Sequence, residues 1–99
     1  MEHVSDSGLA AIQRTVELAE LRLRTESGEA LELRLRAKLS QGDVAEAVDV
    51  SVGTICRWEM GNRRPCGPRA LAYSRLLAAL RDLLDRQDQD SNHHGQPSV

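Results

Sequence analysis

The residues best equipped for chemistry in this 99-residue chain are arginines, and they are unevenly placed. Residues 51–81 hold six Arg against the single acid Glu59, a local charge of +5. Residues 1–50 hold six Lys/Arg against ten Asp/Glu (−4), and residues 82–99 hold Arg86 against four Asp (−3). The net charge of −2 therefore hides a basic block. Such a block is an electrostatic footprint for polyanions. A guanidinium gives paired donors to a phosphate or to guanine O6 and N7. Arg57, Arg63 and Arg64 lie closest together within it.

Other chemistries find little support. There is no nucleophile–base grouping, no Gly-rich phosphate loop, and no HxxxH or CxxC pair. Paired acids such as Asp43 and Glu46 read as a solvated helix face, so an enzyme is not expected. Cys56 and Cys66, with His3, His93 and His94, lack the spacing of a zinc site. They read as free thiols and unligated imidazoles, and a redox role for Cys56 has only its neighbour Arg57 in its favour. No cofactor or metal is expected.

Positioning falls to the stretch from Leu39 to Pro65, which reads as two short helices and a tight turn. Ser40 caps the first helix, with Asp43 completing a short capping box. Val44, Ala45 and Val48 recur at helical spacing, and Asp49-Val50 forms the turn, where Asp tolerates a left-handed backbone. Ser51 caps the second helix, Ile55 and Trp58 face inward, and Gly61-Asn62 ends it. Two helices so joined form a helix-turn-helix unit.

The stretch resembles the Cro/cI (XRE-type) phage-repressor family. The resemblance rests on Gln41, Ala45, Val50, Ile55 and the closing Trp58-Glu59-x-Gly61-x-x-x-Pro65, and covers roughly residues 27–80. It implies an all-α, lambda-repressor-like bundle of about five helices, with an extra N-terminal helix and a long C-terminal one. It also implies that Arg34 pairs with Glu59, and that Leu33, Ala45, Val50, Ile55 and Trp58 build the core. Lys38 stands where the family commonly has Gly, so a wider turn is expected there.

In this architecture the second helix enters the major groove of double-stranded DNA and its first turns meet the bases. The base-facing positions are then Val52, Gly53, Cys56 and Arg57. Arg57 reads guanine or contacts a phosphate, and the sequence leaves both open. Val52 suits a thymine methyl, while Gly53 leaves an empty place where the family often has a polar reader. Gln41, Thr54, Asn62, Arg63 and Arg64 are the expected phosphate contacts.

The rest of the chain divides as follows. Residues 1–7 form a loose leader, and 8–24 an extra helix with Leu9, Ile12, Val16, Ala19 and Leu23 on one face. Glu20-Leu21-Arg22-Leu23-Arg24 is repeated as Glu32-Leu33-Arg34-Leu35-Arg36, and its alternation also fits a β-hairpin turning at 25–28. Helices are the better reading, because β-branched residues are absent from 17–24 and 29–39 and Ser27 can cap a new helix. Ala30, Leu33 and Ala37 would face the core, and the first helix, in the same chain or in a partner, would cover Leu31 and Leu35. Residues 68–86 form the last helix, opened by Pro68 and striped by Leu71, Leu76, Leu77, Leu80, Leu83 and Leu84. Leu76, Leu80 and Leu83 suit either a dimer seam or the domain's own core. The domain thus spans 8–86, its central unit 27–65, and the polar residues 87–99 are expected to be disordered.

Two functions are consistent with these residues. One is a sequence-specific transcriptional regulator, a repressor of phage, prophage or plasmid type that works as a homodimer through its terminal helices. The other is a protein-interaction module, such as the antitoxin of a toxin–antitoxin pair or a polymerase-binding regulator, with DNA binding secondary. No run of about 18 apolar residues and no secretion signal occurs, so a cytoplasmic protein of a bacterial or phage-infected cell is expected.

Overall fold

The computed structural model describes residues 6–95, and among these all regular structure is helical. Helix α1 spans Asp6–Ser27, α2 Glu29–Arg36, α3 Gln41–Val48, α4 Val52–Glu59 and α5 Gly67–Gly95. This is the expected all-α bundle of five helices, and the β-hairpin is absent from the described residues. The Gly28 backbone, at φ 88°, reverses the chain between α1 and α2 in a conformation that costs other residues more. Ser27 is the last residue of α1 and Gly28 takes the N-cap position of α2, while the Ser27 hydroxyl accepts from the Glu29 amide at 3.3 Å in the first turn of α2.

Local chemistry sets the two central helices. The Ser40 hydroxyl accepts from the Asp43 amide, and the Asp43 carboxylate accepts from the Ser40 amide, both at 2.9 Å. That reciprocal bonding satisfies two groups at the start of α3. Asp49 takes the left-handed turn at φ 62°, and the Ser51 hydroxyl accepts from the Thr54 amide at the start of α4. Gly61, at φ 75°, ends α4.

The core gathers Leu21 of α1, Ala30 and Leu33 of α2, Val44, Ala45 and Val48 of α3, and Ile55 and Trp58 of α4. Ala70, Tyr73, Leu77, Leu80 and Leu84 of α5 complete it, and Val50 and Ala37 pack against its edge. Trp58 stacks on Tyr73 with ring centroids 5.2 Å apart, so both aromatic residues sit at its centre. Burial, and to a lesser extent Glu59, pushes the Tyr73 hydroxyl pKa upward. The last helix buries Ala70 and Tyr73 along with its leucines, while Leu83 stays exposed.

Four expectations are corrected. First, α1 packs through Leu18, Leu21 and Thr25, and the stripe Leu9, Ile12, Val16 and Leu23 faces outward. Polar clamps choose that face: Arg75 binds the Glu17 carboxylate at 3.1 Å, and the Ser74 hydroxyl donates to the Glu17 carbonyl. Second, Leu31 and Leu35 stay exposed and are not covered by α1 of the same chain.

Third, the turn at Lys38 is not widened. Lys38 adopts φ 64°, and the Leu39 amide bonds the Arg34 carbonyl at 3.1 Å. Lysine thus takes the strained conformation that glycine would take freely. Fourth, α5 continues from 87 to 95, where no structure was expected. No Gly or Pro interrupts 69–94, a formed helix propagates readily, and Asp88 pairs with Arg36 at 3.1 Å. The expected leader is helical from Asp6, and residues 1–5 and 96–99 lie outside the described residues.

Candidate nucleic-acid interface

Helix α4 has one side anchored and one side open. Ile55 and Trp58 are buried, Val52 and Arg57 are exposed, and Gly53, Thr54 and Cys56 are half-buried. The four expected base-facing positions thus share the outer side of one helix. The place above Gly53 is occupied, because the Arg57 guanidinium folds back over it. A Cβ at position 53 would stand 3.2 Å from Arg57 Nη1. Cys56 directs its thiol at the Met60 sulfur, 3.6 Å away.

The helix is held from behind by a buried ion pair. Arg34 donates through Nε and Nη2 to the two carboxylate oxygens of Glu59, the second bond at 3.1 Å. Its third donor, Nη1, reaches the Leu39 carbonyl at 2.9 Å. Donating to the Glu59 carboxylate raises the Arg34 pKa further. Such a two-pronged pair fixes direction as well as distance. Gln41 joins it, with Nε2 donating to Glu59 Oε1 at 3.0 Å. The Gln41 amide nitrogen is therefore engaged in bracing α4, and the Thr54 hydroxyl shares a 3.0 Å bond with that of Ser51. Asn62, Arg63 and Arg64 are exposed on the loop after α4.

The basic block resolves into two kinds of arginine. Arg69 binds Asp49 at 2.9 Å, Arg75 binds Glu17 at 3.1 Å and Arg81 binds Glu29 at 3.3 Å. These three tie α5 to the turn before α4, to α1 and to α2. Arg57, Arg63 and Arg64 pair with no carboxylate among the described residues. The uncompensated charge is thus concentrated on the outer side of α4 and the loop behind it.

Two residues near this surface carried no signal in the sequence. Arg22 of α1 donates to the Pro65 carbonyl at 3.1 Å and lines a cleft with Gly61, Arg63 and Arg64. It lies 43 residues from its acceptor, beyond the reach of any local pattern. Met60, exposed at the end of α4, is legible only as the i+4 neighbour of Cys56. No cluster of three His, Cys, Asp or Glu that could hold a metal occurs among the described residues.

A capped helix pair with a braced second helix and unpaired arginines on its open side defines a DNA-binding module of helix-turn-helix type. Residues 31–81 match the helix-turn-helix family model, and the chain belongs to that family in its XRE, Cro/cI-like form. The all-α fold is lambda-repressor-like. A search of curated proteins finds no match, and neither does a search of solved structures.

Proposed function

We propose that this DNA-binding regulator is a sequence-specific repressor of phage, prophage or plasmid type, acting in the cytoplasm as a homodimer on a palindromic operator. The observation that carries the reading is the separation of charge around α4. Arg34, Arg69, Arg75 and Arg81 are neutralised by Glu59, Asp49, Glu17 and Glu29, while Arg57, Arg63 and Arg64 are left to a ligand. A polyphosphate backbone is the partner such a cluster fits best, since it releases condensed counterions when cations replace them.

With α4 in the major groove, Arg57 swings off Gly53 to pair with guanine, and Val52 packs on a thymine methyl. Gly53 lets the helix approach closely, and Cys56 lies against the floor of the groove. Arg63, Arg64 and Asn62 hold the flanking phosphates. Thr54 and Gln41 contact the backbone near the starts of their helices, and Gln41 also braces α4 through Glu59. Two such modules related by a twofold axis would span half-sites about 34–36 Å apart.

The exposed leucines of α1 favour a second reading, a protein-interaction module such as an antitoxin or polymerase-binding regulator. Titration of duplex DNA at several salt concentrations separates the two. Repressor action predicts a steep salt dependence whose slope falls by about one in Arg63→Ala and again in Arg64→Ala. Binding that ignores salt, or slopes unchanged in both variants, would contradict the assignment.

A further inference from the structure

Helix α1 is apolar on two opposite sides, and only one of them is used by the domain. Leu18, Leu21 and Thr25 pack inward. On the other side Leu9, Ile12, Val16 and Leu23 are 49%, 59%, 52% and 66% exposed. With Ala19, these residues recur at alternating steps of three and four, the spacing of a two-helix seam rather than of a helix lying on a broad core. We propose that this outer stripe of α1 pairs with the same stripe of a second copy of the chain, antiparallel, forming the dimer interface.

Area and charge both favour that occupant. The four large side chains expose roughly 400 Å² of apolar surface, at the level where a patch on a monomer marks an interaction site. Self-pairing doubles that area. Burial of the flanking Gln13, Thr15, Ala19 and Glu20 takes the total past the roughly 1,000 Å² of a stable interface.

In the antiparallel register Ile12 faces Leu23 of the second copy, Val16 faces its Ala19, and Leu9 lies beside the methylenes of its Glu26. Glu20 then stands near Gln13 of the second copy and Arg22 near its Thr15, so no like charges meet. A parallel pair would bring Glu26 against Glu26. The antiparallel pair also sets each helix's positive end beside the other's negative end. It is twofold and self-complementary, as closed dimers require.

The inference rests on the homodimeric reading above, but its test does not depend on DNA. Analytical ultracentrifugation of the full chain should show a dimer at micromolar concentration. Val16→Glu should be monomeric with unchanged helicity, because Val16 lies on the outward side of α1, and its melting temperature should no longer depend on protein concentration. Ala19→Leu should tighten the dimer about tenfold by filling the small layer.

Orientation is read in a Cys56→Ser/Cys66→Ser background. Leu9→Cys should stay uncrosslinked, its two thiols lying roughly 25 Å apart along the seam. Leu9→Cys/Glu26→Cys should form an intermolecular disulfide. A monomeric wild type at 100 micromolar, a dimeric Val16→Glu, or crosslinking of Leu9→Cys alone would overturn the proposal. Val16→Glu should still bind a single half-site duplex like the wild type. Loss of DNA binding by a wild-type dimer would fail the repressor reading alone, while half-site binding by a monomeric wild type would fail the pairing alone.

Discussion

The guanidinium of Arg57 covers Gly53, with Nη1 only 3.2 Å from the point where a Cβ would stand. The residue with the least side chain on α4 thus provides the resting place for the one with the longest reach. A side chain at position 53 would have only the mobile end of Arg57 to displace, so the fold has no need of glycine there.

Gly53→Ala should therefore stabilise the protein, by up to about 1 kcal/mol, as alanine does in helices. The same change should reduce DNA affinity toward that of Arg57→Ala, by crowding the arginine and thickening the surface facing the bases. Thermal melting and duplex titration on one variant check both signs. A stabilised variant with undiminished affinity would remove Gly53 from the interface.

Behind α4, Glu59 is held by Arg34 and Gln41 together. Glu59→Ala should cost about 3–5 kcal/mol, because it leaves a buried guanidinium without its counter-charge. Gln41→Ala removes one hydrogen bond and should cost about 1 kcal/mol. Denaturant titration of the two variants and of the double variant measures the difference, and the two losses should not add.

Lys38 stands at φ 64°, where a Cβ is strained. Lys38→Gly should raise stability by about 0.5–1 kcal/mol, the relief of strain exceeding the added freedom of the unfolded chain. The midpoint of urea unfolding reports it directly.

The capping box gives a pH signature. Hydrogen bonds from the Ser40 amide and hydroxyl hold the Asp43 carboxyl below its ordinary value of 3.8. The Arg75 hydrogen bond likewise holds Glu17 below 4.5. A carboxyl lowered by folding contributes stability above its unfolded pKa and loses it as pH falls through the folded one. The urea midpoint of the wild type should therefore exceed that of Asp43→Ala by a constant margin from pH 7 down to about 4. The margin should then narrow progressively toward pH 2.

What the sequence made legible was mostly local. The caps at Ser40 and Ser51, the left-handed Asp49 and the inward pair Ile55 and Trp58 each depend on residues within four positions. The Arg34–Glu59 pair spans 25 residues and was expected only through the family resemblance. The inward face of α1 was misread because both of its faces are apolar at helical spacing. Contacts from Glu17 to Ser74 and Arg75, some 57 residues away, decide between them. The end of α5 was misread for a related reason. Polar composition stopped the apolar stripe at 86, but nothing in the backbone chemistry of 87–94 stops a helix.

The proposed contacts on α4 face one decisive measurement: selection of bound duplexes from a random-sequence pool by the wild type and by Arg57→Ala. The account predicts a palindromic winner preferred over scrambled duplex by about 10³-fold or more. It further predicts that Arg57→Ala relaxes one guanine position in each half-site while leaving the rest of the consensus intact. Recovery of no consensus, or of the same consensus undiminished in Arg57→Ala, would contradict the role assigned to α4 and to its free arginine.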